Sequence, residues 1–261
     1  IGTDAFRGLA ISTFVVPEGV TSIGARAFTG CSKLTDLYIP STVTTMTEYD
    51  NPKCYFHVDE NNSNYSSYEG VLYNKDKTAL KCFNLGSIVP DWTIPEHVIR
   101  IDSIGKGNIV RLGVNVEEIG KECFFYKGPS KLYINNAPLK YIKDNAFGYS
   151  NAIVESAINL PYIQQIGYQS FIGVANLSKI DLGATISYIG NNAFKNSNLS
   201  VLIIRSIDPI AISANILENT PISLGNGFIY VPDESVDTYK SASGWSTYAD
   251  QIKPLSEYVE S

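Results

Sequence analysis

The residues best suited to chemistry lie in the first third of the 261-residue chain. Cys54 and His57 are close neighbours in the sequence, and together they could form a cysteine nucleophile with a histidine base. Such partners usually come from separate parts of a chain, and the pattern places no orienting Asn or Asp beside them. The sequence therefore favours an ordinary variable loop here and predicts no catalytic residue.

The four cysteines suggest two other kinds of chemistry, metal binding and disulfide formation. Cys31, Cys54, Cys82 and Cys123 are widely separated along the chain, and none forms a CxxC pair. This spacing disfavours a zinc site. Cys31 and Cys123 stand where small apolar residues are expected, so we predict buried thiols. A Cys54–Cys82 disulfide stays open as an alternative for an extracytoplasmic protein.

An oxygen-rich segment at residues 59–64, Asp-Glu-Asn-Asn-Ser-Asn, is the remaining metal candidate. It lacks the glycine and the terminal bidentate glutamate of an EF-hand loop, so a polar turn is favoured over a calcium site. The chain has only two histidines, His57 and His97, and no phosphate-binding glycine loop or GxSxG motif. We predict no metal site, no cofactor and no enzymatic activity.

The overall composition indicates a strand-rich chain with a large core. Apolar residues make up 44% of the sequence and charged residues 18%, and the net charge is −6. This acidic balance argues against a nucleic-acid partner, which normally meets a basic face. No apolar run reaches the roughly 18 residues that a membrane-spanning helix needs.

A short cluster recurs along the chain: Ile, usually Gly, two variable residues, a small residue and Phe. The leading Ile of each copy stands at positions 1, 23, 119, 142, 166 and 189. The step between neighbouring copies is almost constant, both before the gap and after it. This is the period of a leucine-rich repeat, so we predict a solenoid with coils of about 23 residues.

The elements of one coil follow from the residues around each cluster. An apolar run such as Leu34-x-x-Leu37-x-Ile39 comes first and is typical of a strand with alternate side chains turned inward. The glycine after each cluster Ile is expected to serve either a positive φ or a close backbone approach. We expect the cluster phenylalanines to stack between coils as a spine, formed by Phe28, Phe124, Phe147, Phe171 and Phe194.

The period is interrupted once and decays towards the end of the sequence. We predict a solenoid over residues 1–225, with an irregular insertion at about 47–93 that carries a projecting hairpin turning at residues 74–77. Residues 226–261 are predicted to form a C-terminal capping segment, with Asp233 or Ser235 capping a short helix near 234–242. The sequence starts within a coil, so we expect further repeats upstream.

The unit from Ile23 to Val43, with its Ile-Gly-x-x-Ala-Phe-x-x-Cys and Leu-x-x-Leu-x-Ile-Pro patterns, resembles the BspA-type leucine-rich-repeat family. The resemblance covers most of residues 1–205 and includes the variant Gly-Val-Leu-Tyr-Asn-Lys-Asp-Lys-Thr segment at 70–78. It implies a strand-rich α/β leucine-rich-repeat solenoid with right-handed coils, a parallel sheet on one face, a hairpin-bearing insertion and a C-terminal cap. It also implies a surface or secreted protein of host-associated bacteria or some protists.

The same resemblance places the variable positions of the first strand on one open face. The candidate binding residues on that face are Thr35, Asp36, Tyr38, Tyr133, Lys179, Asp181 and Ser200, together with Ser178 and Ile203. Tyrosine mixed with charge is typical of recognition surfaces.

We therefore expect a non-enzymatic binding module that mediates adhesin-like interaction with a host or microbial protein. Its expected location is extracellular or at the cell surface, with an outer-membrane lipoprotein as one form. The expected partner is a host-matrix or cell-surface protein, no membrane span is expected within the chain, and the chain itself is expected to be a monomer. Two alternatives remain at this point: a structural spacer that presents another domain, and a glycan-binding surface protein.

Overall fold

The computed structural model describes residues 1–47, 52, 54–83, 91–105, 109–126, 128–134, 137–150 and 153–260. Over these residues the chain is a strand-rich solenoid of about ten turns with parallel sheets, as predicted. Helix is scarce in the described part, where one short α-helix, α1 (Val236–Ser241), stands among the 3-10 segments Asp233–Ser235, Trp245–Gln251 and Leu255–Glu257. None of these helices is long and apolar enough to cross a membrane.

Most coils contribute one longer and one shorter strand. In chain order the strands are β1 (Thr13–Val15), β2 (Ser22–Ile23), β3 (Asp36–Ile39), β4 (Thr45–Met46), β5 (Tyr55–Val58), β6 (Tyr65–Tyr68), β7 (Val71–Asn74), β8 (Ala79–Cys82), β9 (Asp91–Thr93), β10 (Arg100–Ile101), β11 (Ile109–Arg111), β12 (Glu118–Ile119), β13 (Lys131–Tyr133), β14 (Tyr141–Ile142), β15 (Ile153–Val154), β16 (Ala157–Leu160), β17 (Gln165–Ile166), β18 (Lys179–Leu182), β19 (Tyr188–Ile189), β20 (Val201–Ile204), β21 (Phe228–Val231) and β22 (Ile252–Pro254).

The longer strands build one side of the solenoid, which we call the long-strand face. They form three parallel groups in the orders β1-β3-β5, β9-β11-β13-β15 and β16-β18-β20-β21-β22. Strands of mostly two residues build a second side, which we call the short-strand side, through the pair β2-β4 and the series β8-β10-β12-β14-β17-β19. Each coil thus pairs with the equivalent residues of the next coil, as Ile166 does with Ile189.

The turn that carries each phenylalanine contains a left-handed residue. The fourth cluster position has φ between 52° and 58° in all six copies: Asp4, Arg26, Glu122, Asn145, Gln169 and Asn192. The cluster glycine serves the other expected purpose, close approach. A Cβ on Gly190 would lie 2.4 Å from the Tyr168 backbone nitrogen of the preceding coil, so the coils can meet there only if the residue has no side chain.

The five phenylalanines predicted to form the spine are buried, and the C-terminal four form one continuous stack. Phe124 and Phe147 have ring centroids 5.0 Å apart, Phe147 and Phe171 5.0 Å, and Phe171 and Phe194 5.6 Å, all with nearly parallel planes. Phe28 belongs to a separate stack with Phe6, at 5.4 Å. The spine is therefore divided between two parts of the solenoid.

The hairpin of the insertion is the element that divides them. β7 and β8 are antiparallel and turn over residues 75–78, close to the predicted position. The prediction that this hairpin projects from the solenoid is wrong. β8 pairs with β10, so the hairpin belongs to the short-strand side. Val71 and Tyr73 enter the larger hydrophobic core, whereas Leu72 and Cys82 enter the smaller N-terminal one.

The C-terminal segment closes the larger core. β21 and β22 extend the long-strand face by two further strands, and Tyr239 and Trp245 fill the end of the core. Tyr239 donates a hydrogen bond to the Ser206 carbonyl at 3.0 Å, and the Trp245 indole donates to the Ile210 carbonyl at 2.7 Å. These bonds satisfy the polar ends of two buried aromatic rings.

The short helix lies where the sequence predicts it, but its predicted capping is wrong. No side-chain hydrogen bond caps α1 or the 3-10 turn before it. The Asp233 carboxylate instead accepts a hydrogen bond from the Ser256 backbone nitrogen at 3.0 Å. Hydrogen bonding by the Ser256 side chain, and next by its backbone, lowers the pKa of Asp233. Asp233 therefore anchors the final segment of the chain.

Candidate functional site

The first three strands of the long-strand face carry an exposed mixed patch. The register places Val15 beside Tyr38 and Tyr38 beside His57 in one outward row. Val15 is 66% exposed and Tyr38 41% exposed, and the Tyr38 ring stacks on the His57 imidazole at 4.4 Å. We call Val15, Asp36, Tyr38 and His57 the N-terminal patch.

A hydrogen bond fixes the imidazole in this patch. His57 Nε2 lies 2.8 Å from Asp36 Oδ1, while Thr35 Oγ1 lies 2.7 Å from the other carboxylate oxygen. These two contacts, the His57 contact above all, lower the pKa of Asp36. The patch thus presents an aromatic surface and a carboxylate in a fixed arrangement, and it offers both apolar and polar contacts to a ligand.

The N-terminal patch borders a shallow groove of about 360 Å³, a volume within the range of ligand pockets. The groove is lined by Val15, Val16, Pro17, Glu18, Tyr38, Ile39, Pro40, His57, Val58 and Asp59. The prolines that end the first strand of each coil form part of its wall, so the repeat itself shapes the groove.

Cys54 and His57 do not form a nucleophile and base. Cys54 is buried in the smaller core, whereas His57 lies on the opposite side of β5 and bonds to Asp36. Burial raises the pKa of the Cys54 thiol to about 12, so the thiol is protonated at neutral pH. Cys54 and Cys82 do not form the disulfide that was considered as an alternative, since neither takes part in a disulfide bond.

The oxygen-rich segment is a structural turn built around one asparagine. Asn62 is fully buried, and its amide nitrogen donates to the Pro40 and Val43 carbonyls at 2.8 and 2.9 Å. Its Oδ1 accepts hydrogen bonds from the backbone nitrogens of Asn64 and Tyr65. These bonds engage both ends of the carboxamide within the fold.

A second, partly exposed patch lies on the middle strands of the same face. The Arg111 guanidinium lies over the Tyr133 ring at 4.2 Å, and Lys131 Nζ lies 4.7 Å from the same centroid. Asp91 holds Arg111 through a 3.1 Å ion pair. A hydrogen bond from Lys131 lowers the pKa of the Tyr133 hydroxyl, and Arg111 adds to the effect. We call these four residues the central patch.

The end of the chain covers part of the C-terminal third of the face. Tyr258 packs on Tyr230 of β21 at 5.1 Å, and Lys179 Nζ of β18 lies over the Tyr258 ring at 4.8 Å. The final segment therefore crosses the intervening strand β20, on which Ile203 is buried. Lys179 also pairs with Glu260 at 3.1 Å, so its ammonium is engaged within the chain.

Asp181 does not belong to the open face that the sequence predicts. It is 7% exposed and accepts two hydrogen bonds of 2.8 Å from the Arg205 guanidinium. A carboxylate in a bidentate pair at this depth stabilises the sheet and is not offered to a partner. We remove Asp181, Lys179 and Ile203 from the candidate binding surface.

The small hydroxyl residues of the face join neighbouring coils. Ser178 donates to the Ser156 carbonyl at 2.9 Å, and Ser200 donates to the Ser178 carbonyl at 3.1 Å. Thr35 Oγ1 makes the equivalent contact, 3.0 Å from the Ser12 carbonyl. These side chains support the long-strand face from coil to coil.

Several residues of the surface escape the sequence pattern. The outward rows of the face contain His57, Val15 and Arg111. The sequence alone does not predict that His57 lies on this face. The insertion hides the register of β5, because its short apolar run, Tyr-Phe-His-Val, lacks the leucines that mark other coils. Only the structure shows that His57 pairs with Tyr38, and this pairing places His57 on the long-strand face.

Several solved structures resemble this chain at low sequence identity. The pneumococcal vaccine antigen PcpA matches with a TM-score of 0.55 and 14% identity, over 97% of this chain and 69% of its own. A leucine rich cell surface protein from Faecalibacterium prausnitzii matches with a TM-score of 0.48 and 19% sequence identity. The match covers 95% of this chain and 65% of that protein. A leucine-rich repeat protein from Bacteroides ovatus matches with a TM-score of 0.39 and 18% sequence identity. The match covers 97% of this chain and 68% of that protein.

The repeat pattern itself has a family description. Six copies of the BspA type leucine rich repeat region match residues 1–103 and 117–226, which is most of the chain. A search among curated proteins finds no match. The period, the phenylalanine turns and the paired coils agree with this family profile. The chain belongs to the BspA type leucine rich repeat family.

Proposed function

We propose that this chain is a non-enzymatic binding module of a bacterial cell-surface or secreted protein, which recognises a protein partner in an adhesin-like manner. The observation that carries the proposal is the division of the long-strand face. Its N-terminal patch exposes Val15 and Tyr38 and its central patch is partly exposed, whereas the end of the chain packs over strands β18 to β21 of its C-terminal third. The proposed contact surface is therefore the part of the face from β1 to β13.

The chemistry of the two patches supports a protein partner. Tyrosine, arginine and histidine combine large contact area with hydrogen bonding, and tyrosine and arginine are enriched among residues that dominate binding energy. Tyr38 and Tyr133 are each held by a neighbour, His57 and Arg111 respectively, so little side-chain freedom is lost on binding. Two such patches on separate coils suit an extended partner better than a small molecule.

The surface location rests on resemblance to other proteins. Family membership supports a repeat protein of bacterial surfaces, and a pneumococcal vaccine antigen shares the fold. Detection of the protein on intact cells by antibody, with and without mild surface proteolysis, tests this part of the proposal. Signal that appears only after cell lysis would contradict it.

The binding proposal is tested with alanine variants of three tyrosines, two on the long-strand face and one away from it. Tyr38→Ala and Tyr133→Ala each remove an aromatic anchor from the long-strand face, whereas Tyr188→Ala removes a 50% exposed tyrosine from the short-strand side. Binding to immobilised host-matrix proteins and cultured host cells is measured for each. We expect about tenfold weaker binding for the first two variants and no change for the control.

Unchanged binding by both face variants, with Tyr188→Ala also unchanged, would contradict the proposal. In that case a structural spacer becomes the better interpretation. Deletion of whole coils with the C-terminal segment intact would then preserve the activity of the full-length protein.

A further inference from the structure

A second, separate cavity lies where the last repeat turn meets the C-terminal segment. It measures about 700 Å³, within the range of small-ligand sites, and lies away from the long-strand face. Its lining includes Asn191, Asn215, Glu218, Asn219, Leu224 and Thr247. Amides and hydroxyls dominate this set, and the protein-binding surface proposed above uses none of these residues.

The base of the cavity is rigid. The Tyr248 ring is buried, and its hydroxyl donates a hydrogen bond to the Ala214 carbonyl. Asn219 has φ of 59°, and its amide donates to Asn196 Oδ1 at 2.9 Å. Thr220 and Ser223 close a small turn beneath it, since the Ser223 backbone nitrogen donates to Thr220 Oγ1. A site built this way needs little reorganisation to bind a ligand.

The rim carries polar groups that the fold leaves uncommitted. The side chains of Asn191 and Thr247 are exposed and make no hydrogen bond within the described residues. Asn215 uses only its Oδ1, which accepts from Ser213, so its amide nitrogen remains available among the described contacts. These donors and acceptors converge on one space, and each could serve a ligand hydroxyl.

The charge of the cavity restricts the ligand class. Glu218 is the only carboxylate among the described lining residues, and Lys195 pairs with it at 2.8 Å. A site with balanced charge gives no advantage to an anion or a cation. Leu224, which is 68% exposed, gives the cavity an apolar contact beside its polar rim. A neutral ligand with many hydroxyl groups and an apolar ring face fits both the amide-rich rim and this apolar contact.

We infer that the cavity between the last repeat turn and the C-terminal segment, lined by Asn191, Asn215, Glu218 and Thr247, binds a neutral oligosaccharide. The ligand hydroxyls would accept from the asparagine amides and donate to Glu218 and Thr247, while a sugar C–H face packs on Leu224. This site is distinct from the protein-binding surface and is independent of it.

The test uses the whole chain and a defined probe. A glycan array that holds neutral and sialylated oligosaccharides is probed with the labelled protein, and the strongest neutral hit is then titrated by isothermal calorimetry. Asn191→Ala and Thr247→Ala alter exposed side chains, so both variants are expected to fold. We expect saturable binding of a neutral glycan and a roughly tenfold loss of affinity for Asn215→Ala, with smaller losses for the two exposed variants.

Tyr38→Ala serves as the matched control, because it alters the protein-binding surface and leaves this cavity intact. Glycan affinity should not change in that variant, so failure of the protein-binding proposal would not affect the result. Absence of any saturable neutral hit on the array would overturn the inference. It would also be overturned by selective binding of sialylated glycans or by neutral binding that Asn191→Ala, Asn215→Ala and Thr247→Ala all leave unchanged.

Discussion

One buried asparagine, Asn62, holds the insertion to the repeat at a point where the repeat motif is missing. Asn62 lies in the insertion, where no cluster phenylalanine is present, and it joins its turn to the preceding coil by hydrogen bonds to Pro40 and Val43. The sequence presents it as one of several asparagines in a polar stretch. Burial of a single member of that stretch depends on coil pairing, which residue type alone does not reveal.

Asn62→Ala is expected to destabilise the protein by about 2–4 kcal/mol, because it removes two hydrogen bonds to the Pro40 and Val43 carbonyls and two from the backbone nitrogens of Asn64 and Tyr65. Asn61→Ala is the matched control, since Asn61 is the exposed neighbour. Chemical denaturation of both variants measures the difference. A cost for Asn62→Ala no greater than that for Asn61→Ala would show that these bonds do not hold the turn.

The Asp36–His57 contact predicts a defined pH dependence. The folded-state pKa of Asp36 is lowered, so the ionised carboxylate stabilises the fold above its ordinary pKa. This stabilisation is lost as the pH falls below about 4 and through the lowered folded-state value. Thermal unfolding should therefore show a larger loss of stability on acidification for the native protein than for Asp36→Asn. Parallel pH curves for the two proteins would contradict this assignment.

The elements of each coil are held by two devices, a stacked ring and a glycine. Both recur with the period, so both are visible in the sequence, and the rings lie in the core as buried stacks. The sequence leaves the role of the glycine open between two purposes. The distance between neighbouring coils distinguishes the two roles of the glycine. This distance cannot be read from the sequence, because the contacting residue lies one full coil away along the chain.

Phe171→Ala is expected to cost about 3–5 kcal/mol, because it removes the ring between Phe147 and Phe194 and leaves a cavity shared by three coils. Phe228→Ala is the matched control, since Phe228 is 41% exposed on the long-strand face. Equilibrium denaturation gives the two free energies of unfolding. A cost under about 1 kcal/mol for Phe171→Ala would mean that the ring does not support the stack.

Two glycine variants, Gly167→Ala and Gly2→Ala, test whether the cluster glycine is needed for close approach of the coils or for flexibility of the backbone. Both glycines occupy the second cluster position, but a Cβ on Gly167 would lie 2.5 Å from the Asp144 nitrogen, and one on Gly2 would meet nothing within 4 Å. We expect Gly167→Ala to destabilise by about 1–3 kcal/mol and Gly2→Ala to change stability little. Equal effects in thermal unfolding would refute the close-approach role.

At the scale of the whole molecule, the period predicts the solenoid but not its division. The insertion reads as an added hairpin, because its apolar residues follow one another without a repeat spacing. In the structure those residues alternate between two cores, with Tyr73 in the larger and Leu72 in the smaller. A hairpin that is buried on both faces can be distinguished from a projecting one only when its neighbours are known.

The extent of the open face likewise could not be predicted from the sequence. Lys179 and Glu260 are far apart along the chain, and no periodic pattern links them. Their contact, with Tyr258 between β18 and β21, covers a surface that the repeat alone would leave exposed. The candidate surface is thereby reduced to the N-terminal and central patches, and this reduction is the basis of the proposed function.

The most direct test of that function is site-specific photo-crosslinking of the protein bound to host cells. A photoreactive phenylalanine analogue replaces Tyr38, Tyr133 or Tyr188 in turn, and the crosslinked products are compared by electrophoresis and mass spectrometry. We predict that positions 38 and 133 crosslink the same partner protein and that position 188 gives no specific product. A specific product from position 188, with none from positions 38 and 133, would contradict recognition through the long-strand face.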